Sequence, residues 1–148
     1  MSELQCLIYV SIAVSGLDAQ DVASIVTKSA PLNQRDGVHG MLLLSDGSFM
    51  QCIEGEVSGL EKTYARIQAS PMHHRVIELF RSPVAKRRFH TWDWAFKLKE
   101  QREFSNPQLD LFLEAPRHDQ PVAWKNLAME QKILREFWDA TANPLRIW

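Results

Sequence analysis

Cysteine, tyrosine and glycine are scarce in this chain of 148 residues, at two, two and six respectively. Cys6 and Cys52 stand inside apparent strands with no paired metal spacing, so buried, reduced thiols are expected rather than a disulfide framework. Neither sign of charge dominates, with 17 Lys and Arg against 18 Asp and Glu. That balance argues against a dedicated nucleic-acid or membrane binder. The short basic run "AKRRFH", residues 85–90, reads as a solvated loop. No apolar run approaches the ~20 residues of a membrane span. The opening "MSELQCLIYVSIAVSG" lacks the basic n-region of a signal peptide, so a cytoplasmic location is expected. Also missing are H-x-x-x-H and C-x-x-C metal spacings, G-x-S-x-G, a Walker loop and G-x-G-x-x-G. Metal, serine-hydrolase, nucleoside-triphosphate and Rossmann chemistry lose their sequence support together.

Periodic apolar pattern is what the chain does have. "LQCLIYVSI" reads as a first strand, with Leu7, Tyr9 and Ser11 on one face. A helix comes next, opened by Asp18 with Asp21 as a capping box and striped by Val22, Ile25, Val26 and Ser29. Pro31 is expected to end or loosen it. "GVHGMLLLSDGSFMQCIEGE" reads as a hairpin turning at Asp46-Gly47, with Phe49, Gln51 and Ile53 on one face of its second strand. Ser58 and Glu61 read as the capping box of a second helix carrying Leu60, Tyr64 and Ile67, stopped by Pro71. "RVIELFRSPV" and "HTWDWAFKLK" read as two more strands. The first six elements give the βαββαβ order of a ferredoxin-like sandwich, an α+β fold, with a fifth strand appended. Its helices cover one sheet face. "SNPQLDLFLE" and "VAWKNLAMEQKILREFWDATAN" read as helices for the other, the second with an apolar face of Trp124, Leu127, Ile133, Leu134, Phe137 and Trp138. Residues 1–100 and 101–148 are therefore expected as a domain and its helical extension.

In that topology Tyr9 and Gln51 lie on neighbouring central strands and can project into the gap between the two helices. Asn33 closes the first helix, and Ile25 and Ile67 can face each other across the gap. From spacing alone, the favoured reading is that Tyr9 and Gln51 bond only each other and that the isoleucines are core.

Taken together, "LIYVS", "N-x-x-x-G-V-x-G-M-L-L", "F-x-Q-x-I-E-G-E", "TYARIQ…HH" and "RRF…W-x-W" resemble the BLUF domain, a flavin-based blue-light sensor, from about Leu7 to about Lys99. The resemblance implies a role for each matching residue. Tyr9 would donate an electron and a proton to the excited flavin. Gln51 would bridge Tyr9 and the ring edge. Asn33 would bind the pyrimidine ring, and Ser29 would be a further cofactor-binding residue. Ile25 and Ile67 would sandwich the ring, Arg66 and His74 would lie near the ribityl-phosphate end, and Trp92 would adjoin the pocket. Three positions differ from the family pattern. Leu32 replaces a polar residue, Trp94 replaces a methionine, and Ser70 replaces an acidic partner for Arg66. Trp92 and Trp94 then share a strand face, where the second indole could clash with the chromophore or act as a second donor.

The implied function is that of a bacterial, non-enzymatic photoreceptor, in which Tyr9 chemistry turns the Gln51 amide and strand five carries the signal. The implied cofactor is FAD, with FMN and riboflavin left open. The implied partners are a separate downstream protein and a second copy in a homo-oligomer, with no nucleic acid and no membrane. Two alternatives are weighed beside it. One is a flavin-free interaction module on the same fold, supported by Leu32 and Trp94. The other is a small flavin enzyme, for which only Tyr9 and His39 offer acid–base chemistry.

Overall fold

β-Branched and apolar residues with a period of two build the centre of the sheet. In the computed structural model, which describes residues 3–45, 47–97, 103–104 and 129–142, strand β1 (Leu4–Ala13) leads into helix α1 (Ala19–Arg35). Strands β2 (His39–Ser45) and β3 (Ser48–Glu56) form the hairpin, followed by helix α2 (Val57–Ala69), β4 (His73–Pro83) and β5 (Trp92–Lys97). A two-residue β6 (Glu103–Phe104) and helix α3 (Met129–Ala142) complete the described elements. The sheet order is β4-β1-β3-β2-β5-β6, antiparallel except where β5 runs parallel to β2. Its first four strands have the ferredoxin-like order, with β5 added beside β2. The short β6 was not foreseen from the sequence.

Alternation sorts the sheet's side chains into two cores. Leu7, Tyr9, Leu42, Phe49 and Ile53 pack under α1 and α2, against Val22, Val26, Leu60 and Tyr64. Cys6, Ile8, Met41, Leu43, Met50 and Cys52 face the other way and pack under Leu134 and Trp138 of α3, with Ile133 and Phe137 at the margin. Both cysteines are buried and reduced, with their Sγ atoms 3.3 Å apart. Trp124, Leu127 and the helix expected at "SNPQLDLFLE" lie outside the described residues. Leu134 is fully buried in the α3 core. Leu134→Ala is therefore expected to cost about 2–5 kcal/mol, the range for emptying a buried leucine site. Urea unfolding checks this, and an unchanged midpoint would mean that α3 contributes nothing to the core.

Helix α1 has the expected capping box. The Asp18 side chain accepts from the Asp21 amide at 2.9 Å, and Asp21 accepts from the Asp18 amide at 3.0 Å. Two sequence expectations fail. The helix runs through Pro31 to Arg35. The proline removes one backbone donor, but the deprived turn is exposed at Thr27 and Pro31, where water can reach it. Ser58 does not cap α2. That helix starts at Val57, straight out of β3, with Glu56 at its N-cap making no side-chain bond, and Glu61 instead pairs with Arg81. The basic run is the exposed loop expected from its charge, with Lys86, Arg88 and His90 at the surface, but its backbone is anchored. Glu54 Oε1 accepts from the backbone amides of Arg88 and Phe89, each at 2.7 Å, and Phe89 is buried in the α3 core.

Candidate functional site

Tyr9 and Gln51 stand directly opposite each other in the β1–β3 ladder. Their side chains leave the same face, and the Tyr9 hydroxyl donates to Gln51 Oε1 at 2.6 Å. Each residue is 3% exposed. Burial pushes the Tyr9 phenol far above its usual range, with the nearby Tyr64 adding to the rise, so Tyr9 holds its proton. The amide NH₂ end of Gln51 has no partner among the described residues and borders a cavity between α1 and α2.

The cavity measures about 220 Å³. Tyr9, Leu42, Phe49 and Gln51 line it from the sheet, with Trp92 beside them on β5. Helix α1 brings Ile25, Ser29, Leu32 and Asn33, and α2 brings Ile67, Thr63 and Arg66. Ile25 and Ile67 are only half buried, two aliphatic walls with open space between them. Asn33 and Gln51 are buried amides, and the indole Nε1 of Trp92 is buried with no partner among the described residues. This set suits a flat aromatic ligand with polar atoms on its edge, since each amide offers both a donor and an acceptor.

The polar end of the cavity is organised by Arg66. Its guanidinium donates to Asp36 at 2.6 Å, Thr63 Oγ1 at 3.1 Å and Asn33 Oδ1 at 3.3 Å. Ser70 therefore leaves no gap here, because the acidic partner of Arg66 comes from the end of α1. Gly59 makes this approach feasible, since a Cβ there would collide with the Asp36 carbonyl oxygen. Arg35 and Arg66 together hold the Asp36 carboxyl down to about 2. A depressed carboxyl stabilises the fold above its unfolded value of about 3.9, and that gain is lost as pH falls through about 2. Urea stability should therefore fall between about pH 4 and about pH 2, and fall less in Asp36→Asn. Parallel curves for the two proteins would show that Asp36 is not responsible.

Of the residues singled out from the sequence, Tyr9, Ile25, Ser29, Asn33, Gln51, Arg66, Ile67 and Trp92 come together around this cavity. Two do not. Trp94 packs at the margin of the same core and is not among the residues that line the cavity. His74 is exposed and pairs with Ile12, which lies on the other sheet face, whereas His73 lines the cavity. The Ile67 carbonyl can only accept, so His73 Nε2 donates to it at 2.6 Å, and Nδ1 faces Ser11 Oγ at 2.6 Å. His39 bonds the Phe89 carbonyl at 2.8 Å, away from the cavity. Sequence reasoning missed Lys28, which is exposed at the cavity's edge, together with Met72 and His73. No group of three or more metal-ligating side chains occurs among the described residues.

Residues 4–95 match the family model BLUF, "Sensors of blue-light using FAD". Over 93 residues the chain is 32% identical to the photoactivated adenylate cyclase subunit alpha of Euglena gracilis. That alignment takes in 62% of this chain and 9% of the cyclase, so the chain spans about a tenth of that relative. Among solved structures, the BLUF protein BlrB in its dark state superposes with a TM-score of 0.64 at 25% identity, covering 96% of this chain and 98% of BlrB. Klebsiella pneumoniae BlrP1 with FMN and cyclic diGMP is 35% identical with a TM-score of 0.56, over 62% of this chain and 25% of BlrP1.

Proposed function

The chain belongs to the BLUF family, sensors of blue light using FAD, and from that premise we propose that its α1–α2 cavity holds the flavin ring beside a switch made of Tyr9 and Gln51. The observation that carries the proposal is the 2.6 Å bond from a buried phenol to an amide whose other end is unengaged at the cavity surface. A bound flavin supplies blue-light absorption and, once excited, an acceptor for one electron.

The rest of the chemistry belongs to the protein. Ile25 and Ile67 wall the ring from the two helices, and Asn33, Ser29 and Gln51 offer its edge polar partners. At about 220 Å³ the cavity is smaller than the about 300–1,000 Å³ usual for ligand clefts, so it encloses the ring portion and leaves the tail outside. Lys28 supplies positive charge for that tail, while the charge of Arg66 is already offset by Asp36. Tyr9 is the electron donor. An oxidised phenol is a strong acid, so as the electron leaves, its proton moves along the existing bond to Gln51 Oε1, and both return to Tyr9 when the charge recombines. That bond held the amide in one orientation. With it broken, the amide can turn and exchange its donor and acceptor ends. In a dry network each hydrogen bond depends on the next, so a turned amide is a second stable arrangement rather than a small perturbation.

This reading assigns no enzymatic step to the chain. The sheet through β6 with its two covering helices forms the sensor and α3 belongs to a C-terminal extension, output passes by contact to a separate effector protein in the cytoplasm, and the sensor works as a homo-oligomer. One absorption spectrum before and after a blue flash tests the core of it. A yellow protein with a reversible red shift is expected. A colourless protein that takes up no added FAD would overturn the proposal.

A further inference from the structure

The basic run at residues 86–88 does not line the cavity, yet it ties the β4–β5 connection to both β3 and α3. Arg88 is held at both ends. Its backbone amide donates to Glu54 Oε1 at 2.7 Å, and its Nε meets Glu130 Oε1 of α3 at 2.7 Å. Glu54 lies three residues beyond Gln51 on β3, on the opposite sheet face. It is 1% exposed, and its second oxygen has no partner among the described residues. Glu130 is buried as well, at 6% exposed. The guanidinium of Arg87 donates to the Glu54 carbonyl at 3.2 Å.

This loop bridges the two cores. Phe89 is buried in the core under α3, and Trp92, three residues later, lines the cavity on the other face. Between them the Thr91 carbonyl accepts from Gly40 of β2 at 3.0 Å, which sets the start of β5. A shift of Trp92 therefore pulls on a short segment whose other end is bonded to α3. Separating the Arg88–Glu130 pair would leave a buried acid uncompensated, which is costly.

We infer that Arg88 is the positioning residue that couples the cavity to the C-terminal helix, by joining Glu54 on β3 to Glu130 on α3. The inference rests on the blue-light reading of the cavity. It locates the output surface of that switch at the N-terminal end of α3. Most of the sheet face under α3 is apolar core, and a polar connection across it would join the buried acids Glu54 and Glu130. The Arg88 segment supplies that polar connection.

The test uses the full chain loaded with FAD and measures amide hydrogen exchange of residues 129–138, in the dark and under blue light. In the unaltered protein, light is expected to speed exchange in this segment. In Glu130→Gln and in Arg88→Gln the visible red shift should persist while the light–dark difference in exchange is lost. The exchanged pair Arg88→Glu with Glu130→Arg should restore that difference, which a loss through misfolding would not allow. The inference is overturned if either single variant keeps the full light–dark difference, if the exchanged pair fails to restore it, or if the unaltered protein shifts its spectrum with no change in exchange. A protein with no red shift at all overturns the photoreceptor reading instead, so the two failures are distinguishable.

Discussion

Tyr9→Phe is expected to keep its flavin and lose its red-shifted state completely. The substitution removes one oxygen and leaves the ring. That ring packs against Tyr64, with centroids 6.1 Å apart, and meets the His73 ring edge-on at 6.0 Å. Neither contact needs the hydroxyl. The stability cost is that of one hydrogen bond, about 0.5–1.5 kcal/mol net, because Gln51 lines the cavity and its amide can find another donor there. The photochemical cost is total, since phenylalanine offers neither an accessible electron nor a proton. Trp92 also lines the cavity and can lose an electron. Its Nε1 makes no bond to Gln51, so its oxidation gives the amide no reason to turn. Because burial keeps Tyr9 protonated, the response of the unaltered protein should be flat with pH across the neutral range. Difference spectra before and after illumination decide the matter. An undiminished shift in Tyr9→Phe would remove Tyr9 from the switch.

The position of this pair was legible in the sequence because a strand has a period of two, and no bulge interrupts the β1–β3 ladder between Leu4 and Ile12. Counting residues was enough to put Tyr9 and Gln51 on one face with Phe49 and Ile53. His74 was named from the family resemblance and not by counting along β4. The register of β4 against β1 shifts twice, once at Ile8/Tyr9 and again at Val10/Ile12, so the second shift restores the parity that the first reverses. His73 stands opposite Ala13, which shares the face of Tyr9, and the cavity receives His73 rather than His74. The start of α2 was also misplaced. Ser58 and Glu61 form a valid local signal, but β3 runs into the helix with no linker, so the strand's last residue takes the capping position. Local propensity lost to a tertiary constraint that no short window contains.

Glu54 shows what pattern reading overlooks. It sits in "F-x-Q-x-I-E-G-E", on a strand face otherwise filled by Met50 and Cys52. A carboxylate on an apolar face is itself a signal, since burying one without hydrogen-bond donors is costly. Its donors come from the basic run more than thirty residues away, and from their backbone rather than their charged tips. Composition placed those charged tips at the surface, where Lys86 and Arg88 lie, but it cannot register which backbone amides lack partners. Asp36 was hidden in the same way. Its pairing with Arg66 depends on Gly59 letting α2 approach the end of α1, a contact between segments distant in sequence.

Gln51→Leu should abolish the red shift as fully as Tyr9→Phe, but at a measurable cost in stability. Leucine approximates the volume of the amide and suits the neighbouring Ile53 and Phe49, so packing on the sheet changes little. The Tyr9 hydroxyl, however, loses the acceptor it now meets at 2.6 Å and stays buried at 3% exposure. A buried donor left unsatisfied costs about 1–3 kcal/mol. Tyr9→Phe removes that donor, so the double variant Tyr9→Phe with Gln51→Leu should recover most of the loss and be more stable than Gln51→Leu alone. Electron transfer from Tyr9 needs only proximity, so transient bleaching of the flavin should survive in Gln51→Leu while the long-lived red-shifted state does not form. Urea unfolding of the two single variants and the double variant gives the coupling energy, and flash spectroscopy gives the photochemistry. A lasting red shift in Gln51→Leu would show that the lit state needs no amide to turn, and the switch would then have to be sought in groups other than this pair.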